Sequence, residues 1–423
     1  MAIYRFGLIW GVAFFAGAMA QLMARLVRLS AVVALLAVGL LIGRAGLDLV
    51  NPDVLGPGLK PLVGLLVSLV LFDGGLNLRL AGRDLQKAVV QLVLVRWVLG
   101  LAGAAVAAHY LAGLSWSLAW VFGAIVLATG PTVVMPLVRQ MRLVPPLGEV
   151  LEGEGLILEP VGAVLALLLL QLALGNLIGW QEVAVRLVLR LGGGALLGAG
   201  AGLLLSEVLR RLTPDGTTLD PAEEADVSAL QLQLTLGVLF LLFSGCDRLL
   251  PESGLPAAVV AGVVVGLRLD AQATLLDEYI RQLAMLAITV LFPLLAADVS
   301  WGELSPLGWG GVACVVVLML IRWPLVQLAG LGVPSLDWRR KLMLAWIAPR
   351  GIVTAAVASL FALRVEEMGM EGAGALKGLV FLTILLTVVV QGFSAPWLAR
   401  RLDLTQPAAT EPAGAVEPAA EAA

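Results

Sequence analysis

The sequence has little charge and very little histidine or cysteine. Only 13% of its 423 residues are charged and 60% are hydrophobic, with a mean hydropathy of +0.99. Soluble proteins carry about 25% charged residues, so this composition excludes an ordinary soluble domain and indicates an integral membrane protein. The net charge of −3 provides no basic surface, which excludes nucleic acid as a partner.

The scarcity of metal-binding and nucleophilic residues excludes several kinds of chemistry. His109, Cys246 and Cys314 are too few for a structural zinc site or an HExxH metalloprotease, and they offer no disulfide framework. Paired catalytic aspartates and a GxSxG motif are also missing, which argues against an intramembrane enzyme. We therefore expect a protein that is not an enzyme and that needs no cofactor.

Long hydrophobic runs, in contrast, are abundant. They predict an all-α membrane protein of about 13 transmembrane helices, which begin near residues 7, 31, 58, 89, 115, 150, 183, 228, 254, 280, 307, 340 and 374. With the N-terminus outside, the cytoplasmic connections carry sixteen Lys and Arg residues and the opposite ones six, which favours a cytoplasmic C-terminus. Cleavage after the signal-like Ala18–Ala20 segment would invert this asymmetry, so we interpret the first run as a retained span.

The chain is predicted to form a single transmembrane domain over residues 1–404, with two halves at about 10–210 and 228–402. The acidic stretch 213–226 is interpreted as the solvated connection between the halves. Residues 405–423 repeat Ala, Pro and Glu, which is typical of a disordered tail, here on the cytoplasmic side.

The two halves share a pattern. The run LVLVRWVLGLAG from Leu92 resembles LMLIRWPLVQLAG from Leu318, and the next span in each half is interrupted by Gly and Pro. The interrupting residues are Gly130, Pro131, Pro349, Arg350 and Gly351. Matching spans are seven apart, so they cross the membrane in opposite directions. An inverted repeat with two broken helices indicates a secondary transporter whose ion site lies where the breaks cross, near the midplane.

Two carboxylates lie deep in the sixth span, LEGEGLILEP. Glu159 is roughly 14 Å along this helix, near the middle of a hydrocarbon core about 30 Å thick, where a carboxylate is functional by default and can exchange a proton for a cation. Glu154 points about 140° away from it, and so faces another neighbour. Arg322, in the middle of its own span, is the best candidate for a structural ion pair with Glu154.

Two aspartates at span ends remain less defined. Asp73 belongs either to the ion site or to an interfacial pair with Arg79, Arg83 or Lys87, and the sequence leaves both interpretations open. Asp298 closes the tenth span and is expected to be solvated.

Six segments in order resemble the monovalent cation:proton antiporters, the sodium/proton exchanger type with thirteen helices. They are LVLFDGGLNL, ATGPTVVMPLVRQMR, EGEGLILEPVGA, the Arg322 span, WIAPRGIVTAAV and LLTVVVQGFSAPWLARR. The resemblance covers about residues 10–402. It implies a homodimer in membrane lipid, in a prokaryotic inner membrane, that exchanges Na⁺ or K⁺ for H⁺ by alternating access.

The resemblance also implies site residues. Glu159 stands where the family carries its proton- and cation-binding aspartate, and Glu154 and Arg322 match its conserved ion pair. Thr129, Asp73 and Arg350 match residues near the site. The chain departs from the family at Gly130, Gly155, Leu158 and Glu159, where oxygen-bearing side chains are lost or lengthened.

Because of these losses, Thr129, Thr132, backbone carbonyls and water are expected to complete the shell around the transported cation. A single titrating carboxylate, Glu159, predicts electroneutral one-for-one exchange. A transport-inactive ion or volume sensor on the same fold is the alternative.

Overall fold

The computed structural model describes residues 2–27, 30–52, 58–78, 83–212, 221–269 and 274–406. Its helices, in chain order, are α1 Ala2–Val27, α2 Ala31–Ile42, α3 Leu59–Asn77, α4 Arg83–Val95, α5 Leu101–Ala112, α6 Trp116–Ile125, α7 Pro131–Met141, α8 Leu147–Ala173, α9 Trp180–Leu212, α10 Pro221–Leu249, α11 Gly254–Leu269, α12 Thr274–Ala296, α13 Trp301–Leu304, α14 Gly308–Ala329, α15 Trp338–Trp346, α16 Ile352–Glu367 and α17 Ala373–Arg401. In these ranges β-structure is limited to one bridge, between Leu143 and Thr405. The all-α prediction is confirmed.

Eight helical segments in the described ranges are long and apolar enough to cross a membrane. They are Gly7–Val27, Arg83–Ala112, Leu147–Ala173, Trp180–Leu212, Asp226–Leu249, Leu275–Ala296, Trp301–Ala329 and Ala373–Arg401. Four shorter apolar helices accompany them, at Ala31–Ile42, Pro61–Asn77, Trp116–Ile125 and Gly254–Leu269. The chain is an integral membrane protein, and the number of thirteen spans stays a prediction.

The helices pack as two bundles. The first bundle consists of α1–α3 and α9–α12, and the second bundle consists of α4–α8 and α13–α17. Small residues allow close packing in the first bundle: a Cβ on Gly262 of α11 would lie 2.3 Å from the Phe72 carbonyl oxygen of α3. A Cβ on Gly198 of α9 would lie 2.3 Å from the Ala257 carbonyl oxygen of α11. Such contacts are typical of helix packing in lipid.

Two helices of the second bundle are broken at the positions that the sequence predicts. One break separates α6 from α7 and the other separates α15 from α16. The breaks cross, because the Gly130 amide donates to the Pro349 carbonyl oxygen at 3.2 Å. Pro131 is the first residue of α7, a position where proline's missing amide hydrogen costs no helical hydrogen bond.

The connections differ in extent from the sequence interpretation. Helix α10 begins at Pro221, inside the stretch 213–226 that was expected to be a loop, and residues 213–220 lie outside the described ranges. The tail begins later than 405, because the Gln406 amide donates to the Arg142 carbonyl oxygen at 2.8 Å. The remaining 407–423 lie outside the described residues, and the predicted disorder there stays a prediction.

Candidate functional site

A buried glutamate with two arginines forms the centre of the second bundle. Glu154 of α8 is fully buried, and Arg322 of α14 donates to its two carboxylate oxygens at 2.9 and 2.8 Å. Arg96 also donates to Glu154. The sequence predicts Arg322 as the partner of Glu154; it presents Arg96 as the repeat counterpart of Arg322 and a structural anchor, without pairing it with Glu154. Two guanidinium groups therefore neutralise one carboxylate.

Both arginines also bind the ends of the half-helices. Arg96 donates to the Leu127 carbonyl oxygen, just past the end of α6, at 2.6 Å. Arg322 donates to the Leu344 carbonyl oxygen near the end of α15 at 3.0 Å. The last carbonyls of a helix have no helical partner and carry partial negative charge, so a cation stabilises them. Arg96 begins a π-helical turn between α4 and α5, a local distortion that is frequent at functional sites.

The unwound backbone of the second break is held by polar groups from two sides. Arg350 donates to the Ala128 carbonyl oxygen of the first break at 3.2 Å. From α17, Gln391 accepts the Ala348 amide hydrogen at 2.9 Å and Thr387 accepts the Arg350 amide hydrogen at 3.4 Å. These contacts supply the hydrogen bonds that the broken helix lacks, as non-helical backbone at membrane depth requires.

Glu159 differs from Glu154 in having no hydrogen-bond partner among the described residues. It is 1% exposed, and within the described part of the chain neither carboxylate oxygen has a hydrogen-bond partner. One turn further along α8, Gly162 brings the helix against α6, since a Cβ there would lie 2.9 Å from the Ala124 carbonyl oxygen. Glu159 is therefore a buried, unpaired carboxylate on the helix that lies along the first break.

Two hydroxyl groups near the breaks are also buried without a partner among the described residues. Thr129 is 1% exposed and Thr354, in the first turn of α16, is 3% exposed. Thr129 is among the predicted site residues; Thr354 is not, although it stands in the GIVTAAV segment just after the second break. The side chains of Pro131 and Thr132 lie outside the described set, and the expectation for Thr132 stays a prediction.

The oxygen atoms near the breaks belong to one carboxylate, two hydroxyl groups and backbone carbonyls. Within the described ranges, no three His, Cys, Asp or Glu side chains are arranged to hold a metal ion. Glu159 would contribute one carboxylate, and hydroxyl groups, free carbonyls and water would complete the shell.

In the described part of the chain, Asp73 forms no ion pair with Arg83 or Lys87. It accepts a hydrogen bond from Asn77 at 3.1 Å and lines a cavity of about 600 Å³ between the two bundles. Lys87 donates instead to the Gly332 carbonyl oxygen at 2.7 Å, and Arg79 lies outside the described residues. Asp73 therefore faces the cavity, and its assignment to the ion site stays a prediction.

The expectation for Asp298 is wrong. The residue is 7% exposed, and its carboxylate forms an ion pair with Lys377 of α17 at 3.1 Å. Ser359 of α16 donates to it at 2.7 Å, and Arg44 lies 3.7 Å away. Asp298 follows α12 of the first bundle, so these contacts join the two bundles at the end opposite Asp73.

The sequence profile described as sodium/hydrogen exchanger, transmembrane, matches residues 11–401. The chain belongs to this exchanger family. The resemblance seen in the six segments is thereby confirmed, with a match that spans both bundles.

Three relatives of this exchanger illustrate the range of the family. The Na(+)/H(+) antiporter ApNhaP of Aphanothece halophytica is 27% identical over 387 residues, covering 86% of this chain and 69% of its own. Na(+)/H(+) antiporter 1 of Methanocaldococcus jannaschii is 26% identical over 306 residues, 67% of this chain and 68% of its own. The K(+)/H(+) antiporter NhaP of Alkalimonas amylolytica is 26% identical over 415 residues, covering 96% of this chain and 68% of its own.

A solved structure shares the exchanger's fold. The sodium proton antiporter MjNhaP1 from Methanocaldococcus jannaschii, solved at pH 8, superimposes with a TM-score of 0.79 at 23% identity. The match covers 95% of this chain and 99% of that one. The predicted antiporter fold is confirmed.

Proposed function

We propose that this exchanger is a monovalent cation:proton antiporter in which Glu159 binds H⁺ and Na⁺ or K⁺ in turn. The observation that carries the proposal is the burial of Glu159 without a partner in the described structure. An ionised carboxylate in such surroundings is costly, so it is stable only when a proton or a cation neutralises it. Competition of the two ions for one group couples their opposite movements.

The cation is Na⁺ or K⁺. Relatives named for each ion are similar to the chain. Gly130, Gly155 and Leu158 replace oxygen-bearing residues, so Glu159 depends on Thr129 and on carbonyls and water for the remaining ligands. A weak, largely hydrated site is expected to discriminate poorly between the two cations.

One neutralising exchange per cycle predicts electroneutral transport. The carboxylate of Glu154 is already neutralised by two arginines, which leaves Glu159 as the carboxylate of α8 with neither oxygen partnered in the described structure. Each half-cycle then moves one proton or one monovalent cation, and the carrier crosses with no net charge in both directions.

The decisive experiment measures proton flux in proteoliposomes with a pH-sensitive dye under imposed Na⁺, K⁺ or Li⁺ gradients. Glu159→Gln is expected to abolish exchange, since an amide cannot release a proton, and Glu159→Asp is expected to retain it. Glu149→Gln, in the first turn of the same helix, is the matched control. Undiminished exchange by Glu159→Gln, or no proton movement by the wild type, refutes the proposal.

Two further measurements test the stoichiometry of exchange and the alternative function as a sensor. A cation gradient that drives a voltage, read with a potential-sensitive dye, contradicts electroneutrality. Cation binding without any flux in the same vesicles supports the sensor instead.

The proposal extends to orientation and assembly. Arg25, Arg139 and Arg281 belong to the positive set predicted to be cytoplasmic, and all three line the cavity beside Asp73. We place this cavity on the cytoplasmic side of a prokaryotic inner membrane, with the N-terminus outside. A homodimer in lipid is the state that the family resemblance implies. Labelling of cysteines introduced at the cavity rim tests the orientation in the membrane. Mass measurement in lipid nanodiscs tests the homodimer.

A further inference from the structure

The cavity between the two bundles contains a carboxylate that the proposed mechanism does not use. Its charged lining consists of Arg25, Asp73, Arg139, Glu152 and Arg281. The cavity measures about 600 Å³, and a water molecule occupies about 30 Å³ in the liquid, so a hydrated monovalent cation fits inside.

Glu152 is largely buried yet lacks a full set of partners. Its side chain is 7% exposed, and its Oε1 atom has no hydrogen-bond partner in the described structure. A carboxylate oxygen that is shielded from solvent and unpaired, in the wall of a cavity, is an available ligand. This distinguishes Glu152 from Glu154, whose two oxygens are both bound by arginine.

The helix places Glu152 in line with Glu159. Seven residues at 100° each bring the two side chains to within about 20° of the same face, roughly 10 Å apart along the axis. Leu156 lies between them on this face and packs against α3, where a Cβ on Gly74 would lie 2.7 Å from its Cδ2 atom. A cation that leaves the cavity for Glu159 therefore passes Glu152 first and Leu156 next.

The surrounding charges make this position a weak site. Arg281 is paired with Asp277, and Asp73 accepts from Asn77. Arg139 lines the same cavity, and its positive charge acts on the Glu152 carboxylate. The nearby positive charge lowers the affinity of Glu152 for a cation without occupying its free oxygen. A cation would bind there briefly and move on.

We propose that Glu152 is a second cation-binding residue, which receives Na⁺ or K⁺ from the cavity before the ion reaches Glu159. The inference rests on the proposed function, because it assigns a step on the route to that carrier. It predicts that Glu152 governs the concentration dependence of transport from the cavity side.

The kinetic test compares Glu152→Gln with the wild type in oriented vesicles. With the cation supplied on the cavity side, KM is expected to rise roughly tenfold, equivalent to about 1.4 kcal/mol, while the maximal rate stays within about twofold. With the cation on the opposite side, KM is expected to stay unchanged. Glu152→Asp should restore most of the affinity, and Glu149→Gln is the control on the same helix.

Other kinetic results overturn the inference. An unchanged KM on the cavity side removes the assignment. A fall of the maximal rate from both sides without a change in KM indicates a structural role instead. Thermal unfolding separates misfolding from lost affinity, because Glu152→Gln gives up no hydrogen bond at Oε1 and should melt like the wild type.

A binding test is independent of transport. Thallium(I), a spectroscopic substitute for K⁺, is titrated into Glu159→Gln and into the double variant that adds Glu152→Gln, both in detergent. Residual binding in the first that is weakened about tenfold or more in the second supports the inference, and equal binding overturns it. Failure of the proposed function shows separately, as absence of proton flux in the wild type.

Discussion

Replacement of Glu154 by Gln should destabilise the protein strongly. The substitution keeps the size of the side chain and removes the carboxylate that Arg322 binds through both oxygens and that Arg96 also contacts. The new amide group points hydrogen atoms at a guanidinium that has only donors. Two buried cations lose their counter-charge, and breaking a buried ion pair from one side costs about 3–5 kcal/mol.

The loss of stability caused by Glu154→Gln should not exceed about 5 kcal/mol, because each arginine keeps a second partner. Arg96 remains bound to the Leu127 carbonyl oxygen and Arg322 to that of Leu344. At ~2 °C per kcal/mol for a large chain, the unfolding midpoint of the Glu154 variant should fall by about 6–10 °C. The midpoint is measured in detergent by tryptophan fluorescence or by temperature-dependent aggregation.

Glu159→Gln is a closely matched control. Both residues are glutamates of α8 and both are buried, but Glu159 lacks partners in the described structure. Its replacement should leave the midpoint unchanged or raise it, since an amide costs less to bury than a carboxylate. Equal losses from the two variants would refute the reasoning, and so would a Glu154 variant that melts like the wild type.

The remaining stability predictions concern the bundles. Lys377→Met removes the main cation paired with buried Asp298 and should lower the free energy of unfolding by about 3 kcal/mol, which the same melting curves check. Gly262→Ala forces a Cβ to 2.3 Å from the Phe72 carbonyl oxygen and should cost about 1–3 kcal/mol. Gly237→Ala, whose Cβ meets nothing within 4 Å, should be neutral or stabilising by up to about 1 kcal/mol. A Gly262 variant as stable as the Gly237 variant contradicts the close packing of α3 and α11.

Features that depend on the position of a residue along one helix could be predicted from the sequence. The depth of Glu159 and the angle between it and Glu154 follow from helical geometry, and the two breaks follow from Gly and Pro in apolar runs. The pairing of Glu154 with Arg322 rested on the need of a buried arginine for a carboxylate, together with the position of each in the middle of its span.

Contacts between distant helices could not be predicted in the same way. Asp298 stands at a span end, where hydropathy indicates solvent, and its burial depends on Ser359 and Lys377 from two helices that follow much later. Arg96, which donates to Glu154, begins a π-helical turn. Hydrophobic periodicity along the sequence does not predict such a turn. The free oxygen of Glu152 likewise appears only when α3, α7 and α8 are placed around one cavity.

The stoichiometry of exchange can be argued from an asymmetry within the inverted repeat. Each half supplies one mid-span arginine that caps a broken helix, Arg96 in the first half and Arg322 in the second. The helices that follow the two breaks are α8 and α17, which the sequence predicts to be a matching pair of the repeat. Only α8 contains acidic residues, because α17 has neither Asp nor Glu and braces its break with Thr387 and Gln391.

A fully symmetric pair of halves would place a carrier carboxylate on each of these helices. The neutral groups of α17 remove the second one, and arginines neutralise Glu154 on α8. Glu159 therefore remains as the carboxylate of α8 whose two oxygens have no partner in the described structure, and we propose it as the carrier. Under our proposal that Glu159 is the single carrier, one monovalent cation exchanges for one proton, so an imposed voltage should leave the exchange rate unchanged at saturating cation concentration. A rate that varies steeply with voltage requires a second moving charge and would point to one of the three core arginines, Arg96, Arg322 or Arg350.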